Sequence, residues 1–322
     1  MRLRHVLGAA LASALAAASP GQAAEKVSIG LIGSPDTGGW VYYIGVAKGF
    51  FAAEGIEPDF VYVPTAPGVM QQLVGGSLDV VGVDGVVEPI HALAKGAKVA
   101  ILRMVSGTTP YEMIAKPSIH SIKDLKGKTI CIGGLMDINR VYLERIMKAN
   151  GIKDGEYDLV ILGNTAQRYA ALQSGSVDAT MLVPPTAFAA EKAGFRNIAM
   201  IKDYAADLPM ASADSTVAWA NAHRDLAKGL IAALDKSIAW FDDDKNKDEA
   251  IDILLKVSHA DRDQVAESYD FTRKIGMYDT NNAISRTDLQ HLIDAMKSIG
   301  DLQGVSVTPD QLVIADLTPL AP

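Results

Sequence analysis

"GGSLDVV" (75–81) and "SGSVDAT" (174–180) are nearly one phrase written twice. The match continues outward from both copies. Upstream, "EPDFVYV" (57–63) answers "EYDLVIL" (156–162) at the same offset, and "IGLIG" (29–33) answers "ICIGG" (130–134). Downstream, "AKGAKVAIL" (94–102) answers "KAGFRNIAMI" (192–201). Residues 27–102 and 128–201 therefore read as two copies of one unit.

Inside each copy, short apolar runs alternate with helical patterns. The first predicts strands at 27–33, 59–63, 79–83 and 98–105, with helices at 41–54, 68–75 and 86–95. The second predicts strands at 129–133, 158–162, 178–182 and 197–201, with helices at 137–150, 166–174 and 186–194. Such alternation implies parallel β-α-β units with right-handed crossovers. Two small doubly wound lobes follow, with a cleft between them. "SGTTP" (106–110) carries the chain from the first unit to the second. After residue 201 a connection near 205–214 leads to a strand-like run, "STVAWANA" (215–222). Helices at 223–242, 246–256, 261–273 and 285–299 then need a sheet to cover. The economical path returns the chain to the first lobe, so lobe 1 comprises 24–106 plus 212–322 and lobe 2 comprises 107–211, joined by a two-segment hinge.

The N-terminus has the form of a secretory leader: Arg2, Arg4 and His5, an apolar run from Val6 to Ala18, then small residues up to Ala23. Cleavage there places the protein in the periplasm. The apolar run is shorter than the roughly 20 residues a membrane span needs. The chain carries 30 basic against 38 acidic residues, and losing Arg2 and Arg4 makes it more acidic still. That charge disfavours nucleic acid or anionic lipid as partners. Cys131, the single cysteine, lies in an apolar run and reads as a small core residue.

The phrases "KGFFAAEGIEPDFVYV" (48–63), "LVGGSLDVVGV" (73–83), "SIKDLKGKTICIGG" (121–134) and "LQSGSVDATMLVPPTAFAAEKAGF" (172–195) resemble, in order and spacing, the periplasmic solute-binding proteins of bacterial ABC importers. The branch resembled binds taurine, aliphatic sulfonates, nitrate or thiamine-precursor pyrimidines. The resemblance implies an α/β, type II periplasmic-binding-protein fold, a small-molecule ligand trapped between closing lobes, delivery to a membrane permease, and a monomer without cofactor or metal. Val183 before Pro184, and Leu135, Met136 and Asp137 after the "GG" turn, depart from the family pattern where ligand is usually read.

In open parallel sheets ligands bind beyond the carboxyl ends of the strands, where helix N-termini present free N–H groups. The repeat locates those ends at 34–40, 64–67 and 84–85 in one copy, and at 133–140, 163–165 and 183–185 in the other. The candidate ligand-binding residues are Ser34, Thr37, Trp40, Thr65, Asp84, Thr108, Gly134, Asn139, Arg140, Asn164, Pro184 and Asp214. Arg140 can grip a carboxylate or sulfonate bidentately, or pair with Glu144 one turn on. Trp40 is either a pocket wall or lobe core. Asp36 reads as a turn residue, and Asp84 either caps the next helix or meets a ligand ammonium or amidine. Asp79 and Asp178 enter strands from tight turns at the far ends and read as structural.

A small organic sulfonate or carboxylate is the leading ligand class, and a heteroaromatic amine stacked on Trp40 and meeting Asp36 or Asp84 is the alternative. An enzyme in the same cleft is a weaker reading: none of the histidines past the leader falls on a predicted strand-end loop, no His/Cys/carboxylate cluster has metal-ligand spacing, and neither a P-loop nor a dinucleotide motif is present. A ligand-sensing domain docking on a receptor is a further alternative.

Overall fold

The computed structural model describes residues 24–280 and 283–322; the expected leader lies outside the described residues. The first unit runs β1 (Glu25–Ile32), α1 (Trp40–Ala47), α2 (Phe50–Ala53), β2 (Ile56–Val63), α3 (Ala66–Val74), β3 (Val80–Gly85), α4 (Val87–Ala94) and β4 (Val99–Ser106). The second runs β5 (Glu112–Ala115), β6 (Thr129–Ile132), α5 (Ile138–Ala149), β7 (Asp158–Ile161), α6 (Thr165–Gln173), β8 (Ala179–Leu182), α7 (Thr186–Lys192) and β9 (Arg196–Met200). Then come α8 (Lys202–Ala205), β10 (Ala211–Thr216), α9 (Val217–Ala222), α10 (Arg224–Phe241), α11 (Lys247–Val257), α12 (Arg262–Ile275) and α13 (Arg286–Ser298).

Two five-stranded sheets result, ordered β2-β1-β3-β10-β4 and β7-β6-β8-β5-β9. These are the same order, so the sequence repeat is a repeat of architecture. In each sheet four strands run in one direction, as the crossovers require. The expectation of purely parallel lobes is corrected at the fourth position. There β10 lies antiparallel between β3 and β4, and β5 lies antiparallel between β8 and β9. Each inserted strand is the first one laid down after the chain crosses between sheets. It enters from the crossing side, so it runs against the other four strands of its sheet.

Two boundaries also differ from expectation. The helix foreseen over 41–54 breaks into α1 and α2 because Gly49 adopts φ 71°. The strand foreseen over 215–222 stops at Thr216, whose hydroxyl accepts the Trp219 N–H at 3.1 Å and caps α9.

The quoted phrase has the same job in both copies. Gly76 and Gly175 take φ 76° and 77°, the left-handed turn that glycine adopts without strain. The next carboxylate then clamps the neighbouring strand. Asp79 accepts Ser28 N–H at 2.8 Å, and Asp178 accepts Thr129 N–H at 3.0 Å while pairing with Lys116 at 2.8 Å.

Helices α10 to α12 pack with α1 and β1 in one apolar cluster containing Trp40, Tyr42, Phe51, Leu230, Phe241, Leu254 and Tyr269. Cys131 is buried. The sheets meet across α4 and α5: Val86, Val87 and Ile90 share a cluster with Ile138 and Tyr142. On the other side Phe188 of α7 meets Phe271 of α12 at 5.5 Å, and Lys192 pairs with Glu267 at 3.0 Å. Among the described residues no helix is long and apolar enough to cross a membrane.

Candidate functional site

Between the sheets lies a cavity of about 600 Å³, within the usual range for small-molecule sites. Its walls are the loops after β1 and β3 on one side, and those after β7 and β8 with the start of α5 on the other. Leu254, Val257, His259 and Gln264 close one flank. These are carboxyl ends of parallel strands, where backbone N–H groups and helix N-termini converge.

Of the sequence candidates, Ser34, Thr37, Asp84 and Asn164 line the cavity. Thr37 also spans the cleft: its hydroxyl donates to the Pro184 carbonyl at 3.0 Å, and its own carbonyl accepts from Tyr278. Asn164 caps α6, accepting Gln167 N–H at 3.0 Å.

The remaining candidates lie elsewhere. Trp40 is 0% exposed, donates its indole N–H to Ala250 O at 2.8 Å and packs against Phe241 and Tyr269. It is lobe core. Arg140 pairs with Glu144 at 2.7 Å, the helical partner one turn on. Asn139 is buried behind Asp137, donating to its Oδ1 at 2.5 Å. Thr65 caps α3 through Gly68 N–H at 3.2 Å. Asp214 is sealed within β10 with no exposure, one oxygen accepting from Ser212 at 2.8 Å. Thr108 lies on the crossing, and Gly134 and Pro184 flank the cavity without lining it.

Several lining residues carry chemistry that sequence reading passed over. Glu88, in the first turn of α4, is 4% exposed, and its Oε1 has no partner. Asp137, which the sequence marked only as a departure from the family pattern, is the N-cap of α5 and lines the second wall. Arg168, on α6, is 2% exposed and faces the cavity. His259 lines it too, from a helix end rather than from one of the strand-end loops on which no histidine was expected. It follows a helix of the C-terminal segment, which the repeat does not cover.

Electrostatically the site is dominated by carboxyls. Asp84 is 1% exposed; Oδ1 accepts Gly85 N–H at 2.8 Å and Oδ2 has no partner. Burial, then the neighbouring Glu88 and Asp214, push its carboxyl well above the usual range. Burial and the nearby Asp137 raise Glu88 to about 8. Burial raises Asp36 to about 6, against the pull of the Gly38 and Gly39 N–H groups, and Asp214 to about 8. Buried unpaired carboxyls tend to hold a proton until a cation or donor arrives. Among the described residues no group of His, Cys, Asp and Glu has the arrangement of a metal site.

The comparisons with known proteins follow the geometry. The chain superposes on the alkanesulfonate-binding protein SsuA of Xanthomonas axonopodis pv. citri, solved with MOPS, with TM-score 0.74 at 17% identity over 91% of this chain and 97% of that one. The periplasmic aliphatic sulphonate binding protein SsuA of Escherichia coli gives TM-score 0.71 at 19% identity, over 93% and 99%. The periplasmic nitrate-binding protein NrtA of Synechocystis PCC 6803 gives 0.76 at 14%, over 92% and 85%. At these identities the likeness is one of fold, the two-lobed type II periplasmic-binding-protein fold. A search of curated proteins finds no significant sequence match. The family described as NMT1/THI5 like matches residues 38–246, from the loop before α1 to the turn before α11. The chain belongs to the NMT1/THI5-like family.

Proposed function

We propose that this protein is the periplasmic solute-binding component of an ABC importer, taking a small organic molecule that carries a cationic or donor-rich group. The observation that carries this is a pair of buried carboxyls, Asp84 and Glu88, each with an oxygen lacking any partner, both facing the cavity of about 600 Å³ between the lobes. A ligand ammonium or amidine supplies the missing donors and neutralises the charge that burial penalises. A purely anionic sulfonate or carboxylate is supported less well: Asp36, Asp84, Glu88 and Asp137 all line the cavity, while Arg140 is engaged with Glu144.

Lobe 1 (24–106 and 212–322) and lobe 2 (107–211) would move about the two crossings, after removal of a leader ending at Ala23. Ligand touching both walls stabilises the closed form by its differential affinity for that form. The closed protein then presents the solute to a membrane permease. The apolar share of the lining, Leu31, Val83, Ile138 and Leu254 among it, supports capture of a small organic molecule.

A thermal-shift panel of amines, amidines, carboxylates, sulfonates, nitrate and pyrimidines tests the reading. A true ligand at about 100 times its Kd adds roughly 2.7 kcal/mol of stability. Stabilisation by simple anions alone, unchanged in Asp84→Asn, would refute the cation-bearing ligand.

A further inference from the structure

The second wall carries the opposite charge, and among the described residues no carboxylate pairs with it directly. Arg168 is 2% exposed and lines the cavity. Its Nε donates to Met181 O at 3.1 Å, Nη1 to Gly163 O at 3.3 Å and Nη2 to Thr165 Oγ1 at 3.2 Å. All three acceptors are neutral, and among the described residues no carboxylate lies within 4.0 Å of the guanidinium. Arginine has more N–H donors than these bonds use. A guanidinium this deeply buried ordinarily faces a carboxylate or phosphate that offsets its desolvation.

Bare backbone lies beside it at Gly133. A Cβ on Gly133 would stand 3.2 Å from Arg168 Nη1 and 2.4 Å from Asp137 Oδ2. The glycine thus leaves a cradle over which both charged groups converge. Asp137 Oδ1 accepts from Asn139 N–H at 2.8 Å and from Asn139 Nδ2 at 2.5 Å, so only its Oδ2 is left on the guanidinium's side, beyond ion-pair distance. The neighbouring N-terminus of α6 adds the exposed end of a helix dipole, which favours an anion beside Arg168.

Resting on the function proposed above, we infer that the ligand is amphoteric: its cationic group meets Asp84 and Glu88 on lobe 1, and an anionic group meets Arg168 on lobe 2. Each end satisfies a charge buried on a different lobe. Only the closed protein can satisfy both, so a molecule with one end alone leaves the other wall's charge desolvated and unpaired. Selectivity and closure therefore have one cause.

Calorimetric titration with matched triplets tests this. Each triplet holds an amine with a carboxylate, the same amine with a carboxamide, and the carboxylate with a methyl in place of the amine, built on benzene, pyridine and hexane frames. In at least one triplet the wild-type protein should bind the amphoteric member roughly ten- to hundredfold more tightly than either single-ended one, the range of a charge-assisted hydrogen bond. Arg168→Gln should reduce its preference for carboxylate over carboxamide to within about twofold, and Arg168→Lys should restore part of it. Gly133→Ala, which fills the cradle without removing the charge, should weaken the carboxylate-bearing members selectively. The wild-type ratio reads the inference even where an Arg168 variant fails to fold. If no triplet favours the amphoteric member, the inference is overturned. If carboxamide members bind as tightly as carboxylates while Asp84→Asn abolishes both, Arg168 only braces α6 against β8, and the cationic-ligand reading survives. If the amine-free carboxylate binds best and Asp84→Asn leaves it untouched, that reading falls as well.

Discussion

Asp84→Asn separates what the cleft costs the empty protein from what it gives the bound one. The substitution keeps the side-chain volume and the acceptor that takes Gly85 N–H at 2.8 Å, and it removes the charge. In the folded chain burial raises the Asp84 carboxyl well above its ordinary value; in the unfolded chain it titrates near 3.9. Between those two values the folded state binds a proton that the unfolded state has released. Stability contributed by this group is therefore complete below about pH 4 and declines as pH rises, by up to about 1.4 kcal/mol per pH unit. The variant has no such proton to lose. Relative to wild type its stability should rise with pH between 4.5 and 8, by no more than about 1.4 kcal/mol per unit. Urea denaturation of the ligand-free protein at pH 4.5, 6, 7 and 8 measures the difference. Titration of an amine-bearing ligand into the same variant should show affinity weakened roughly ten- to hundredfold. A variant whose stability relative to wild type stays flat or falls across that range, or one that binds the amine normally, would refute the reasoning.

Other expectations follow from the same geometry. With Glu88 raised to about 8, affinity for a permanently charged quaternary ammonium ligand should climb between pH 6 and 8, by no more than about tenfold per unit for this group, and then level off; a titration series by calorimetry checks it. Thr37→Val removes the hydroxyl bond to Pro184 O, 3.0 Å long and crossing the cleft. The closed form should lose about 1 kcal/mol, weakening every ligand by a similar factor of roughly five whatever its charge. Trp40→Phe should destabilise the fold by about 1–3 kcal/mol through the lost indole bond and volume while leaving ligand selectivity unchanged, as denaturation and binding assays would show. Arg140→Ala should leave binding intact and cost about 0.3–0.5 kcal/mol, the worth of its helical pair with Glu144.

The repeat made the architecture legible because its phrases are structural. Gly76 with Asp79, and Gly175 with Asp178, build the same turn and the same strand clamp, so their recurrence marks equivalent strands and, by counting, equivalent strand ends. Those ends do border the cavity. Which residue at each end faces it was less legible. Arg140 and Arg168 both sit on helices with polar neighbours; only tertiary packing turns the second inward, and its partners, Met181 O and Gly163 O, are backbone atoms that sequence does not display. Trp40 is drawn into the core by α10 and α12, elements far along the chain. The antiparallel strands β5 and β10 left no local pattern either, since their direction comes from the crossing that precedes them.

The most direct test of capture between closing lobes is small-angle scattering of the wild-type protein with and without a saturating amphoteric ligand, beside Asp84→Asn. A radius of gyration that falls on saturation in wild type, with no change in the variant at the same concentration, is expected. An unchanged radius in the saturated wild-type protein, or the same contraction in a variant that cannot hold the cationic group, would contradict closure driven by a ligand bridging both walls.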